Sequence, residues 1–184
     1  DRIGLDLTYY DKKSLDHIMQ VDISGATGFG SLRLNAGEIQ NRGIEAQLNL
    51  GILRNPEGLQ WDMNVNWAKN TSVVNELYTD PNTQQALESF NITSAWSMTV
   101  DAIPGRPFGV MRGTAFQRDE SGAILVGTDG LPKYTSSPQE LGNITPDWVG
   151  GINNRFAYKD FRLSFLIDMR KGGDVFSVTQ WFGL

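Results

Sequence analysis

The residue types from which most active sites are built are scarce in this sequence. Cysteine is absent from the 184 residues, and the one histidine, His17, lies in a polar stretch. A zinc site of Cys and His ligands is therefore excluded, and nothing around His17 indicates a nucleophilic triad. We expect His17 to be a solvated surface residue.

Carboxylates are more numerous, and two of them at a suitable separation would suffice to hydrolyse a glycosidic bond. No motif singles out such a pair among the 21 Asp and Glu. The acidic segments 119–122 and 128–130 lack the spacing of an EF-hand loop, so we expect hairpin turns there. Gly105, Gly109 and Gly113 have no accompanying phosphate-loop lysine. The sequence therefore predicts no catalytic residue, no metal site and no cofactor.

Composition and charge narrow the class of protein. The 16 Lys and Arg are outnumbered by 21 Asp and Glu, which gives a formal net charge of −5. Nucleic-acid-binding proteins generally carry a basic patch, so this acidity argues against a nucleic-acid partner. The longest aliphatic run, residues 123–126, is far too short for a membrane-spanning helix of ~20 apolar residues. Membrane-spanning strands remain possible, because each needs only about 9–11 residues of alternating polarity.

Apolar and polar residues alternate in six segments, which predicts strands with one apolar and one polar face. No segment has a helical period of useful length. The clearest pattern places Leu59, Trp61, Met63, Val65 and Trp67 on one face. The predicted strands comprise residues 3–11, 40–50, 59–68, 148–158, 161–170 and 175–181. The fold class is therefore all-β.

The connections between these strands alternate in length. Residues 12–37 and 70–146 form long connections, whereas residues 51–58 and 159–160 form short ones. Barrels of the bacterial outer membrane have this asymmetry, with short periplasmic turns and longer external loops. The loop lengths therefore favour an antiparallel transmembrane β-barrel.

Two architectures fit the alternation. In a partial transmembrane barrel, the apolar faces contact lipid, and side chains such as Asp6, Glu45 and Asp62 face a wet lumen. In a soluble β-sandwich, the same apolar faces are buried against a second sheet. A sheet in lipid must close on itself, and six strands are fewer than the minimum of about eight. A barrel thus requires further strands, which agrees with chain ends typical of the interior of a longer protein.

Four segments carry motifs in a specific order. Residues 35–45 match the pattern N-x-G-x-x-x-N-x-G-x-E, and residues 105–117 match G-x-P-x-G followed by G-x-x-F-Q. Residues 141–148 read LGNITPDW, and residues 170–176 read RKGGDVF. With their spacing, these segments resemble the SusC/RagA group of TonB-dependent outer-membrane receptors.

This resemblance implies a β-barrel of about 22 strands, closed by a plug. The chain is expected to be an internal-to-C-terminal fragment, with residues 1–184 all in one barrel domain and with the plug and closing strands outside it. About six strands span the membrane. Residues 70–146 are expected to form a long extracellular loop region with a small hairpin built from 108–116 and 124–126. The implied location is the outer membrane of a Gram-negative bacterium.

The resemblance also implies a function and partners. The function is import of large nutrients, oligosaccharides or peptides, energised by the TonB complex through parts of the protein absent here. The implied partners are a SusD-like surface lipoprotein, the lipid bilayer and an oligosaccharide or peptide ligand, and no chemistry on the substrate is implied. Trp96, Arg106 and Arg112 lie in the long external segment and are the candidate substrate-binding residues.

Two other classes of function remain open at this point. A soluble β-rich carbohydrate-binding or adhesion module would use exposed aromatic residues such as Trp96 as stacking platforms. A hydrolase would need two carboxylates about 5–10 Å apart in a cleft. The alternating faces distinguish the first of these from a barrel, because only a sandwich buries Trp61 and Met63 against a second sheet.

Overall fold

Nine strands and one short helix make up most of residues 2–22 and 31–183, the part of the chain that the computed structural model describes. The predicted all-β fold with antiparallel sheets is confirmed. No helix among the described residues is long and apolar enough to cross a membrane. In chain order the elements are β1 (Ile3–Asp22), β2 (Ser31–Arg54), β3 (Leu59–Glu76), β4 (Phe90–Ala95), β5 (Met98–Ala102), β6 (Val110–Gly113), β7 (Gln139–Asn143), β8 (Pro146–Tyr158), β9 (Phe161–Gly172) and α1 (Val178–Phe182).

The strands form two sheets and the chain folds into two compact units. One sheet has the order β1-β2-β3-β8-β9, and the other has the order β4-β5-β6-β7. Unit 1 comprises Asp1–Lys12, Asn41–Ser72 and Pro146–Gly173. Unit 2 comprises the segments that alternate with these, Lys13–Gln40, Val73–Thr145 and Asp174–Leu184.

Strands β3, β8 and β9 share a continuous apolar face in unit 1. Trp61 of β3 lies opposite Phe156 of β8, which in turn lies opposite Leu163 of β9. The rings of Trp61 and Phe156 stack with their centroids 5.3 Å apart. Asn154 interrupts this face, and its buried side-chain oxygen accepts a hydrogen bond of 3.1 Å from Trp61 Nε1. This polar side chain is therefore satisfied within the apolar face.

The opposite face of the same three strands is mostly polar. Asp62 of β3 lies opposite Arg155 of β8, and Arg155 lies opposite Ser164 of β9. Because successive side chains of a strand point to opposite sides, the alternation in the sequence separates a mainly apolar face from a mainly polar one.

Short turns join the strands at one end of this sheet. In the turn after β2, Gly58 N–H donates to Asn55 O at 3.1 Å, and Glu57 N–H donates to Asn55 Oδ1 at 3.2 Å. The turn between β8 and β9 contains Lys159 at φ 52°. Both short connections predicted from the sequence are present, although β2 continues to Arg54 and shortens the first to residues 55–58. Asn, Pro and Gly supply the geometry of that first turn.

Tyr10 packs across a glycine of the neighbouring strand. A Cβ atom at Gly43 of β2 would overlap the Tyr10 ring and would lie 2.8 Å from Lys69 O. The Tyr10 hydroxyl donates to Asn70 Oδ1 at 3.1 Å. The absence of a side chain at Gly43 therefore lets a β1 residue bond to β3 across β2.

The first long connection predicted from the sequence, residues 12–37, is largely wrong. β1 continues to Asp22 and β2 begins at Ser31, while residues 23–30 lie outside the described residues. Polar pairs stabilise these extensions: Lys13 Nζ lies 2.8 Å from Glu38 Oε1, and Asn75 Nδ2 donates to the same oxygen at 2.6 Å. Polar and apolar residues do not alternate regularly in residues 12–22, so the pattern on which the strand prediction depends is missing there.

The last predicted strand, residues 175–181, is also wrong. The structure has α1 in its place, and Ser177 caps this helix by accepting a hydrogen bond of 3.3 Å from Gln180 N–H. A serine hydroxyl that accepts such a bond satisfies one of the free donors in the first turn of a helix. A segment of seven residues is short enough that alternating polarity does not exclude a helix.

Unit 2 contains more regular structure between residues 70 and 146 than the sequence pattern indicates. Strands β4 to β7 form an antiparallel sheet, and β3 extends to Glu76. The apolar core lies here, in two clusters of buried residues. One comprises Val74, Leu77 and Ala102, and the other comprises Met98, Val100 and Met111. Strands of four to six residues are too short to give a clear alternation in the sequence.

Tight turns follow one another between residues 115 and 135 of unit 2. Isolated bridges pair Phe116 with Tyr134, Arg118 with Ile124, and Val126 with Pro132. Both predicted turns are present, with Gly122 at φ 86° and Gly130 at φ 78°. The piece 124–126 pairs with residues 118 and 132 on either side.

The first of these turns depends on the Asp119 carboxylate. The Ser121 hydroxyl and the N–H group of Ala123 donate to Asp119 Oδ1 and hold the pKa of this side chain below its usual value of 3.8. Because the folded pKa is lowered, these bonds stabilise the turn above the usual pKa and are lost as the pH falls through the folded pKa. In Ser121→Ala we expect the Asp119 pKa to rise, measured by NMR titration of its carboxyl carbon. Ser94→Ala, in β4, should leave it unchanged, and an unchanged pKa in Ser121→Ala would contradict the assignment.

Candidate functional site

Arg106 is positioned by a turn that the sequence motif specifies. Gly105 has φ 76°, a conformation that favours glycine, and Arg106 N–H donates to Ile103 O at 3.0 Å. Val74 N–H donates to Arg106 O at 3.1 Å, which fixes the turn against the end of β3. The guanidinium of Arg106 forms an ion pair with Glu140 of β7.

Arg112 lies on β6 and is held by a buried carboxylate. Its Nη1 atom lies 3.5 Å from Asp101 Oδ2, and Asp101 is only 6% exposed. Asp101 also accepts hydrogen bonds from Asn91 Nδ2 at 3.0 Å and from Thr99 Oγ1 at 3.1 Å. Three neighbours thus satisfy this carboxylate, as a buried charge requires.

The two arginines meet at Glu140. In the register of β6 and β7, Arg112 lies opposite Glu140, the same residue that pairs with Arg106. A cleft of about 580 Å³ in unit 2 is lined by Arg112 and Glu140 together with Glu88, Ser89, Ile103, Pro138 and Gln139. The cleft contains positively charged, negatively charged and neutral polar side chains, which can form hydrogen bonds with a polar ligand.

Trp96 is at a different place in unit 2. It lies in the turn between β4 and β5, with φ 57° and 64% of its surface exposed. Its ring packs edge-on against Phe182 of α1, with the centroids 4.8 Å apart. Trp96 does not line the cleft of Arg112 and Glu140. Arg106 and Arg112 are therefore related through Glu140, although Arg106 does not line the cleft either, and Trp96 lies apart from both.

The interpretation of His17 as a solvated residue is wrong. Its Nε2 atom is buried and has no hydrogen-bond partner among the described residues. The side chain lines an apolar cavity of about 200 Å³ in unit 2, together with residues such as Ile39, Leu77 and Phe108. The described residues contain no group of His, Cys, Asp and Glu side chains that could hold a metal ion.

Sequence reasoning missed the acidic residues of the site. Glu140 lies 34 residues from Arg106 in the chain, and Asp101 lies in a short strand without a motif. Asp101 follows Thr99 by two residues on β5, and this spacing alone is only a weak indication of a binding residue. Only the register of β5, β6 and β7 joins these carboxylates to the arginines.

Replacing Asp101 should weaken the fold measurably. In Asp101→Ala, the Asn91 amide, the Thr99 hydroxyl and the Arg112 guanidinium lose their common acceptor. Hydrogen bonds to a charged group contribute about 1.5–3 kcal/mol, so we expect a loss of that size in the free energy of unfolding, measured in urea. The control is Glu140→Ala, which removes a more exposed ion pair and should cost about 0–1 kcal/mol. Equal losses in both variants would contradict the role assigned to Asp101.

Curated TonB-dependent receptors are similar to this chain over almost its whole length. No family model matches the sequence. The chain is 26% identical to TonB-dependent receptor P26 of Formosa agariphila over 199 residues, which cover 96% of this chain and 19% of that receptor. It is 25% identical over 226 residues to TonB-dependent receptor P39 of the same organism, with coverage of 95% and 21%. The chain therefore spans about a fifth of the length of these curated relatives.

Solved structures give the same result for the fold. The chain matches the structure of the RagAB peptide transporter with a TM-score of 0.66 and 17% identity, covering 91% of this chain and 19% of that one. It matches the RagAB peptide importer in its open-open state with a TM-score of 0.68 and 16% identity, covering 92% and 18%. The predicted resemblance to TonB-dependent receptors of the SusC/RagA type is confirmed. The names of these proteins describe receptors and transporters, which agrees with the absence of a catalytic motif.

Proposed function

We propose, from the similarity of this chain to TonB-dependent receptors along almost its whole length, that it forms part of a β-barrel importer in the outer membrane of a Gram-negative bacterium. The imported ligand is a large nutrient, an oligosaccharide or a peptide. Import is energised by the TonB complex, which acts through parts of the protein outside this chain. The five-stranded sheet is part of the barrel wall, and residues 70–146 lie on the outer side of the membrane.

The observation that carries this proposal is the exposed apolar face of β3, β8 and β9. Phe165 and Ile167 of β9 are 44% and 48% exposed, although they lie in rows of apolar residues across three strands. Both clusters of buried apolar residues belong to unit 2, so in the described residues this face is not the inside of a β-sandwich. An apolar strand face of this type is stable in contact with lipid. A soluble monomeric protein rarely exposes a continuous apolar patch.

The cleft of Arg112 and Glu140 is the proposed ligand-contact site. It holds charged groups of both signs and lies in unit 2, which contains most of the proposed outer segment. A peptide or an oligosaccharide presents hydrogen-bonding groups along its length, and such groups bind well to a polar cleft. Trp96, exposed at the turn of the β4-β5 hairpin, is proposed to contact either the ligand or a SusD-like surface lipoprotein that caps the barrel.

Fractionation and uptake measurements test this function. We expect the full receptor to be recovered in the outer-membrane fraction and to require detergent for extraction. Deleting its gene should abolish uptake of a labelled oligosaccharide or peptide, and inactivating TonB should have the same effect. Recovery in a soluble fraction would contradict the barrel and favour the soluble binding module. Uptake that persists without TonB would contradict the energised mechanism.

A further inference from the structure

A second polar cavity, of about 510 Å³, lies in unit 1. Its lining comes from β1, β2, β3 and β8 near the short turn 55–58, and three arginines contribute: Arg2, Arg54 and Arg155. Its volume is within the range of about 300–1,000 Å³ that is typical of small-molecule sites. The cavity shares no lining residue with the cleft described above, which belongs to unit 2.

Positive charge in this cavity exceeds what its acidic residue neutralises. Among the described residues of the lining, Asp62 is the one carboxylate, and its Oδ1 atom lies 3.5 Å from Arg54 Nη2. Arg2 and Arg155 take part in none of the ion pairs found among residues 2–22 and 31–183. Within that part of the chain, Arg155 lies opposite Asp62 in the register of β3 and β8 but forms no ion pair with it. The lining therefore carries three guanidinium groups and one carboxylate.

Two contacts orient the guanidinium of Arg54, although 55% of its side chain is exposed. Its guanidinium lies over Gly51, where a Cβ atom would overlap the side chain and would come 2.9 Å from Cζ. The contact with Asp62 holds the other side of the same group. Groups that are already oriented lose less entropy on binding, which favours affinity.

The excess of positive charge is local. A neighbouring cavity of about 300 Å³ shares Asp62 and Arg155 and adds a further arginine, Arg162. Another cavity on the polar face of unit 1, of about 270 Å³, is lined by Asp6 and Glu45 and by no cationic residue of the described ranges. Cationic groups are thus concentrated near the short turns, where they favour a negatively charged group over a neutral one.

We propose that this cavity binds the oxyanion group, a carboxylate or a sulfate, of a small ligand. Arg2 and Arg155 supply the charge, because a guanidinium presents paired N–H donors that match the oxygen atoms of such groups. Asn64 and Asn153 in the same lining supply amide groups for neighbouring hydroxyls. If the proposed function holds, on which this last step rests, the site lies on the lumen side of the barrel wall, near the short turns.

Binding of three sugars to the purified full receptor tests the proposal. By isothermal titration calorimetry, we expect D-glucuronate or D-glucose 6-sulfate to bind and neutral D-glucose not to bind. The first two sugars distinguish a carboxylate from a sulfate ligand. Arg155→Gln and Arg2→Gln should each weaken binding about tenfold or more, because each removes a charged hydrogen-bonding partner. Arg42→Gln is the matched control, since Arg42 lies in unit 1, bonds to Asp11 at 3.0 Å and does not line the cavity.

The binding results test the anion site separately from the proposed import function. Equal affinity in the wild type and in Arg155→Gln, binding of neither anion, or equal binding of glucose would overturn the anion site. A receptor that resides in the outer membrane and imports its nutrient, yet binds neither anion, overturns this inference alone. Anion binding that depends on Arg155 in a receptor without import activity would support the site and overturn the importer.

Discussion

The variant Ile167→Arg is expected to be almost absent from the outer membrane, whereas the adjacent variant Leu166→Arg should assemble normally. Ile167 lies opposite Ile152 on the apolar face of β9, and Leu166 lies opposite Asn153 on the polar face. An arginine on the lipid face of a barrel costs about 2–4 kcal/mol at the bilayer midplane. That energy lowers the ratio of folded to unfolded protein by roughly 30- to 700-fold.

The two variants form a matched pair because the change and the starting exposure are similar. Ile167 is 48% exposed and Leu166 is 61% exposed, so loss of packing does not distinguish them. Assembly is measured from the amount of protein in the outer-membrane fraction and from the altered gel migration of unheated, folded barrels. If both variants assemble equally well, the apolar face does not contact lipid and the importer proposal fails.

The second large effect is expected at Gly43, where an added methyl group should destabilise unit 1. In Gly43→Ala the new Cβ atom would overlap the Tyr10 ring and lie 2.8 Å from Lys69 O. Overpacking of this kind typically costs about 1–3 kcal/mol. The free energy of unfolding, measured by urea titration in detergent, should fall by that amount.

A second glycine and a double mutant separate the causes of this effect. At Gly4 the nearest atom to an added methyl group would be Asn49 Cβ at 3.7 Å, so Gly4→Ala should have little effect. In a Tyr10→Ala background, Gly43→Ala should cost less, because the ring is gone, but not zero, because Lys69 O remains. A similar cost with and without the Tyr10 ring would show that the ring does not require the glycine.

Alternation predicted the parts of the fold where one face of a strand is apolar. The segment from Leu59 to Trp67 illustrates this, since its apolar residues occupy one side of β3 as expected. The same criterion failed for residues 12–22 of β1 and 31–37 of β2, which were predicted to be a loop. The ion pair between Lys13 and Glu38 lies next to this part of the sheet. It failed again at α1, where the Ser177 cap is a local contact that a period-two pattern does not detect.

The candidate site was predictable only in part. Arg106 and Arg112 were indicated only by their place in the long segment 70–146, which the resemblance puts outside the membrane. Their partners Asp101 and Glu140 had no such indication, because the register of β5, β6 and β7 selects them. Whether Trp96, Arg106 and Arg112 bind ligand stays a prediction.

Local patterns along the chain predicted the strand faces, the short turns and the resemblance to TonB-dependent receptors. Which charged groups meet depends instead on the pairing of strands that are distant in sequence. Arg2 and Arg155 are 153 residues apart in the sequence, and the order β1-β2-β3-β8-β9 places both in the lining of one cavity. Pairing between strands that are far apart in sequence depends on side-chain contacts across the sheet, and a pattern of neighbours along one strand does not reveal which distant strand supplies them.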